Sequence, residues 1–111
     1  MATTQLTIQE IEKLAAEYAG LPVSYFNYMR DIGWGSAANG HMIYSAPIAP
    51  SEVYPQLSDE SDCVLIGDDM QGYCLAYHFG HKTYGEFSDD GIWSSFNGDF
   101  DLFAYLAGRE R

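Results

Sequence analysis

A chain of 111 residues that is 47% hydrophobic and 15% aromatic is long enough to bury a core without staples and too apolar to stay disordered. Its formal net charge of −11, from 16 acidic and 5 basic residues, argues against nucleic-acid and anionic-membrane binding, because neutralising phosphates takes Lys and Arg. The same charge permits a basic protein partner.

The N-terminal MATTQLTIQE has no basic segment and no apolar run, so no secretory signal is expected, and no apolar run approaches the ~20 residues of a membrane helix. The expected compartment is the cytoplasm. Residues 1–6 read as a short arm. Thr7-Ile8-Gln9-Glu10 is a capping box, and Ile8, Ile11, Leu14, Ala15 and Tyr18 recur at helical spacing. Together they predict a helix with Gly20 just past its end. Leu21-Pro22 opens a second helix with Pro at its first position. Val23, Phe26, Tyr28, Met29 and Ile32 form its apolar face, with Tyr25 flanking, and Gly33-Trp34-Gly35 stops it. Ser36–Gly40 is a loop and His41–Tyr44 a short strand. Ala46–Pro50 is extended or an edge, since Pro donates nothing to a ladder. Ser51–Tyr54 reads as one capped helical turn, and Ser58–Asp62 as an acidic linker.

The stretch Cys63–Tyr77 organises the rest of the chain. Two nearly continuous apolar runs, Cys63–Ile66 and Tyr73–Tyr77, flank the polar turn Asp68-Asp69-Met70-Gln71-Gly72 and predict a central hairpin. In its simplest register Cys74 faces Ile66 and Cys63 faces Tyr77, so the two sulfurs do not meet and both read as buried thiols of a reducing compartment. His78–Lys82 is a turn, Thr83–Phe87 a third strand, Ser88-Asp89-Asp90-Gly91 a turn of Asp-Gly type, and Ile92–Phe96 a fourth strand. Asn97-Gly98-Asp99 caps a last helix carrying Phe100, Phe103, Ala104 and Ala107, with Gly108 ending it and Arg109 at its C-terminal dipole. The expected fold class is α+β: N-terminal helices and a C-terminal helix packed on an antiparallel sheet of about four to six strands, in one domain.

Several motifs in this order are similar to those of a known family. Leu21-Pro22-x-x-Tyr25, Tyr28-Met29 and Ile32-Gly33-Trp34-Gly35 resemble the second helix of the SUKH superfamily, which contains bacterial immunity proteins and fungal cell-wall-synthesis regulators. Leu65-Ile66-Gly67-Asp68-Asp69-x-x-Gly72-Tyr73 resembles its central hairpin. Thr83–Phe87, Ile92–Phe96 and Phe100–Leu106 resemble its closing strands and last helix. The resemblance spans roughly residues 7–107. It implies a non-enzymatic module that binds a protein, and it carries over no catalytic residues and no cofactor.

The residues offer little chemistry of their own. His78-x-x-His81 with His41 would supply three ligands for a metal-dependent hydrolase, yet the pair lies in a predicted turn and lacks the spacing of a closed site. Cys63 or Cys74 with His78 would need an electropositive setting, and both thiols sit among acids. Asp59-Glu60-Ser61-Asp62 and Asp68-Asp69 lack calcium-loop spacing. Gly33-Trp34-Gly35 has no preceding strand, so it is no phosphate loop. What stands out is the acids. From Glu52 to Asp101 eleven acids stand against a single Lys or Arg, Lys82. The expected partner-binding residues are Asp59, Glu60, Asp62, Asp68, Asp69, Glu86, Asp89 and Asp90, with Trp93 as an aromatic anchor. The expected function is an immunity protein that neutralises a toxin, a nuclease above all. The alternative is a regulatory or scaffolding module with another protein partner.

Overall fold

The computed structural model describes residues 3–56, 62–97 and 99–108. Within them three helices and seven strands make a mixed α+β chain, more strands than the about four to six expected. The chain divides into two units, Met1–Ser45 with Asp101–Arg111, and Ala46–Phe100. None of the helices is long and apolar enough to cross a membrane, among the described residues.

In the first unit, helix α1 (Ile8–Glu17) starts at its capping box. The Thr7 amide donates to Glu10 Oε1 at 2.8 Å and the Glu10 amide donates to Thr7 Oγ1 at 3.1 Å. These two bonds satisfy donors that every helix start leaves open. The helix ends before Gly20, which does not adopt a left-handed backbone. Tyr18 turns the chain instead, its amide closing on the Leu14 carbonyl, and Leu21 follows into the core.

Helix α2 (Val23–Asp31) has Pro22 as its extended N-cap rather than its first helical residue. Its buried stripe is Tyr25, Tyr28 and Met29, spaced i, i+3, i+4, and Leu21 is buried just ahead of the N-cap. Val23, expected on the apolar face, is 69% exposed, and Tyr25, expected at its flank, is fully buried. Val23, two residues and about 200° of helix away from Tyr25, falls on the opposite side from that stripe. Gly33 closes the helix with a left-handed φ of 98°. A Cβ there would run into the Thr4 carbonyl, because the N-terminal arm is strand β1 (Thr3–Thr4). It pairs antiparallel with β2 (Trp34–Ser36), which pairs with β3 (Met42–Ile48). Sequence reading placed an arm, a helix stop and a loop where β1 and β2 lie. The expected short strand His41–Tyr44 and part of the extended or edge segment Ala46–Pro50 join into the single strand β3. Two- and three-residue strands carry too few side chains for a period-2 pattern to register.

The last helix, α3 (Leu102–Leu106), is capped by Asp101, whose Oδ1 accepts from the Ala104 amide at 3.3 Å, and not by Asn97–Asp99. Phe100 therefore precedes the helix. Leu102 and Leu106 are its buried residues, and Gly108 follows with φ 79°. Asn39 secures its far end: the Asn39 amide donates to the Leu106 carbonyl at 2.9 Å and its Nδ2 to the Tyr105 carbonyl at 3.0 Å. The expected cation there, Arg109, lies outside the described residues.

The second unit is a meander. After a 3₁₀ turn at Pro50–Glu52, with Ala49 and not Ser51 as N-cap, come β4 (Cys63–Asp68), β5 (Cys74–His78), β6 (Thr83–Phe87) and β7 (Trp93–Ser95). Each pairs antiparallel with the next. The central hairpin departs from the expected register by one residue at Cys63 and by two at Cys74. Cys63 faces His78, Cys74 faces Asp68, and the ladder slips between Leu65 and Gly67, where Ile66 is the extra residue of a bulge. The two cysteines are buried thiols outside any disulfide, and they do not face each other. Strand β6 falls where expected. Strand β7 is shorter than expected, leaving Ile92 in the turn.

Candidate functional site

A four-stranded meander alternates its turns between two ends. The β4–β5 turn, residues 69–73, and the β6–β7 turn, residues 88–92, therefore share one end. The β5–β6 turn, with Lys82, lies at the other. This topology collects Asp68, Asp69, Asp89 and Asp90 and sends the unit's cation away from them.

Three contacts hold the two acidic turns to each other. Tyr54, just after the 3₁₀ turn and 4% exposed, places its hydroxyl 3.3 Å from the Gly72 carbonyl and 3.4 Å from the Phe87 carbonyl. Gly72, at φ 105°, is so close to the second turn that a Cβ would stand 3.0 Å from the Cβ of Asp89. Gln56 Nε2 donates to the Asp90 carbonyl at 3.3 Å. The electrostatics report the same closeness. Burial, then hydrogen bonding with Cys74, then the charges of Asp89 and Asp69 push the Tyr54 phenol above its usual range. Burial first and Asp69 second raise the Glu86 carboxyl.

Each turn is built by its own side chains. Asp69 Oδ1 accepts from the Gln71 amide at 2.8 Å and the Tyr73 amide at 3.1 Å, and Asp68 Oδ1 accepts from the Met70 amide at 3.0 Å. Ser88 Oγ accepts from Asp90 and Ile92 amides, and Gly91, at φ 79°, donates back to the Ser88 carbonyl. These are turn-forming jobs that Asp, Ser and Gly do anywhere. Asp89 and Asp90 are exposed, while Asp68, Asp69 and Glu86 are half-buried.

The expected residues do not all meet here. Asp62 precedes β4 at the opposite end, about 20 Å of strand away. Its carbonyl accepts from the Phe79 amide at 2.8 Å and its carboxylate borders Gly80. Trp93 is opposite Phe87, whereas Glu86 faces Ser94, so Trp93 and Glu86 project from opposite faces. The Trp93 ring lies over Gly85 and against Phe87 and His78, with ring centroids 5.4 and 5.6 Å away. Asp59 and Glu60 lie outside the described residues.

The other chemical candidates have structural occupations. His78 and His81 stack at 4.0 Å, and His78 Nδ1 accepts the His81 amide at 3.1 Å, which spends that ring nitrogen on the turn. His41 belongs to the first unit, where its Nε2 is 3.2 Å from the Tyr105 hydroxyl. No three His, Cys, Asp or Glu side chains are grouped to hold a metal among the described residues. Burial, then Asp62, push the Cys63 thiol up to about 11, so it stays protonated at neutral pH. The first unit also has a small cleft of about 110 Å³ between Tyr28, Ile32, Ala37, Phe103 and Leu106.

Sequence reading overlooked the apolar side chains of this end. Met70 is 68% exposed, Ile92 64% and Tyr73 41%. The available signal was a methionine set inside Asp-Asp-Met-Gln-Gly, an apolar residue that turn chemistry does not require.

Neither protein-family models, nor curated proteins, nor solved structures give a match to this chain.

Proposed function

We propose that this chain is a non-enzymatic protein-binding module, an immunity-type protein that neutralises a basic toxin through the acidic end of its meander. The supporting observation is that Asp68, Asp69, Asp89 and Asp90 stand on two turns braced against each other, with Lys82 at the far end. A nuclease toxin carries Lys and Arg to hold phosphates, and an acidic surface competes for the same cations. Charge complementarity of this kind raises association from roughly 10⁵–10⁶ to about 10⁸–10⁹ M⁻¹s⁻¹ at low salt. The reading also carries forward the likeness of the hairpin and second helix to the SUKH superfamily.

Capture from the native host at low salt, followed by a salt step, tests it. The bait is the wild-type chain beside an Asp89→Lys/Asp90→Lys variant. A basic polypeptide that elutes with salt and is lost with the variant is the expected result. A partner that ignores both salt and variant would move the function to a scaffolding role on another surface.

A further inference from the structure

The acidic end also carries most of the second unit's exposed large apolar side chains: Met70 and Tyr73 in the first turn and Ile92 in the second, with Val53 beside the 3₁₀ segment. Among the described residues elsewhere in the unit, Val64, Leu65, Ile66, Leu75, Tyr77, Tyr84 and Phe87 are buried, and Phe79, Trp93, Phe96 and Phe100 are half-buried. Met70 sits at a turn tip with a φ of 66°, a backbone state that Met rarely adopts and that suits Gly or Asn better. Ile92 follows Gly91 at the end of the second turn, its carbonyl accepting from the Ser88 amide and its side chain 64% exposed.

We infer that Met70, Tyr73 and Ile92 form the apolar centre of a docking surface whose occupant is a partner segment presenting an apolar side chain flanked by lysines or arginines. The inference rests on the proposed acidic-surface function and specifies what that surface holds. Strand spacing sets the centres of the two hairpin tips roughly 10 Å apart, and Gly72 meets Asp89 between them, so the turns form one continuous surface across which a segment can lie. Tyr54, Gln56 and the Gly72–Asp89 contact fix that separation, so little ordering is left to be done on binding. Charge decides among occupants. A second copy of the chain would bring four carboxylates against four more, and nucleic acid or an anionic lipid surface is repelled for the same reason. A segment with cations around an apolar anchor satisfies both components: the anchor is desolvated at the centre, and the cations meet Asp68, Asp69, Asp89 and Asp90 at the rim.

The experiment is an amide-shift titration of the full-length chain with three short synthetic peptides of equal length: lysine–leucine, lysine–glutamine and glutamine–leucine. The lysine–leucine peptide is expected to shift amides of residues 68–73 and 88–92, and to bind about tenfold more tightly than lysine–glutamine. The Met70→Asn/Ile92→Thr variant, which changes only exposed side chains and keeps every charge, is expected to erase that tenfold difference. A melting curve establishes that the variant is folded. If lysine–glutamine binds as well as lysine–leucine at these turns, and the variant changes nothing, the apolar anchor is wrong and the acidic reading stands. If glutamine–leucine binds best, or the shifts map elsewhere, both fall. Self-association that masks the same amides would overturn the inference in favour of a second copy.

Discussion

The hydroxyl of Tyr54 stands 3.3 Å from the carbonyl of Gly72, so a residue outside the meander's strands ties down its first acidic turn. The same hydroxyl reaches the Phe87 carbonyl at 3.4 Å, where the second acidic turn begins. One buried oxygen therefore spans the two turns that the proposed interface needs together. Tyr54→Phe keeps the ring against Phe87, at a centroid distance of 5.6 Å, and removes the bridge together with the hydroxyl's contact with Cys74. The expected loss is about 0.5–1.5 kcal/mol in denaturant unfolding. Amide exchange should rise in residues 69–73 more than in β5. An unchanged exchange pattern would mean that the turns are held by their own Asp and Ser side chains alone.

The carboxylates of the first turn are not equivalent to those of the second. Asp69 Oδ1 receives two amides, so Asp69→Ala leaves the Gln71 and Tyr73 donors without that acceptor and should cost about 1–2 kcal/mol. Asp89 is exposed, and Asp89→Asn should leave stability within about 0.5 kcal/mol. Thermal melts of the two variants side by side separate the scaffold carboxylate from the one free to meet a partner.

This difference also marks what the sequence could convey. Asp-Asp-Met-Gln-Gly and Ser-Asp-Asp-Gly announced turns, because Asp, Ser and Gly have local reasons to be there. The capping box at Thr7 and the whole of β6 were legible on the same grounds: the cause lies within a few residues. The bulge at Ile66 was not, since the run Cys63–Ile66 is apolar at every position and supplies no alternation to fix a register. Strands β1 and β2 were hidden because their stability comes from each other and from Gly33 accepting the close approach of Thr4. The bridging role of Tyr54 depends on residues 18 and 33 positions away, which no local pattern encodes.

Gly85 should be among the least tolerant positions of the second unit. A Cβ added there would run into both the Ser94 carbonyl and the Trp93 ring, and the first is backbone of a paired strand. Gly85→Ala must push β7 outward or tip the indole off its glycine shelf, at a cost of about 1–3 kcal/mol. Trp93 emission should shift to longer wavelength as the ring loses its contact with Phe87 and His78. A destabilised protein with unchanged emission would mean that the strand moved and the ring did not.

Glu86 yields a prediction whose sign depends on pH. Burial, reinforced by Asp69, holds its carboxyl above the ordinary value in the folded chain. The native state therefore binds this proton more tightly than the unfolded state does. The favourable contribution is complete below the unfolded carboxylate range and is lost as pH rises through the raised folded value, so at neutral pH the ionised side chain is a burden. Glu86→Gln keeps the shape and removes the charge. It should stabilise the protein at pH 7, by only a few tenths of a kcal/mol because the group is half-exposed and screened. The gain should shrink as pH falls through the raised folded value, where wild-type Glu86 is itself protonated. Denaturant unfolding of both proteins at pH 7 and pH 4 measures it. A gain that persists at pH 4 would assign the effect to side-chain packing rather than to the burial of an ionised carboxylate beside Asp69.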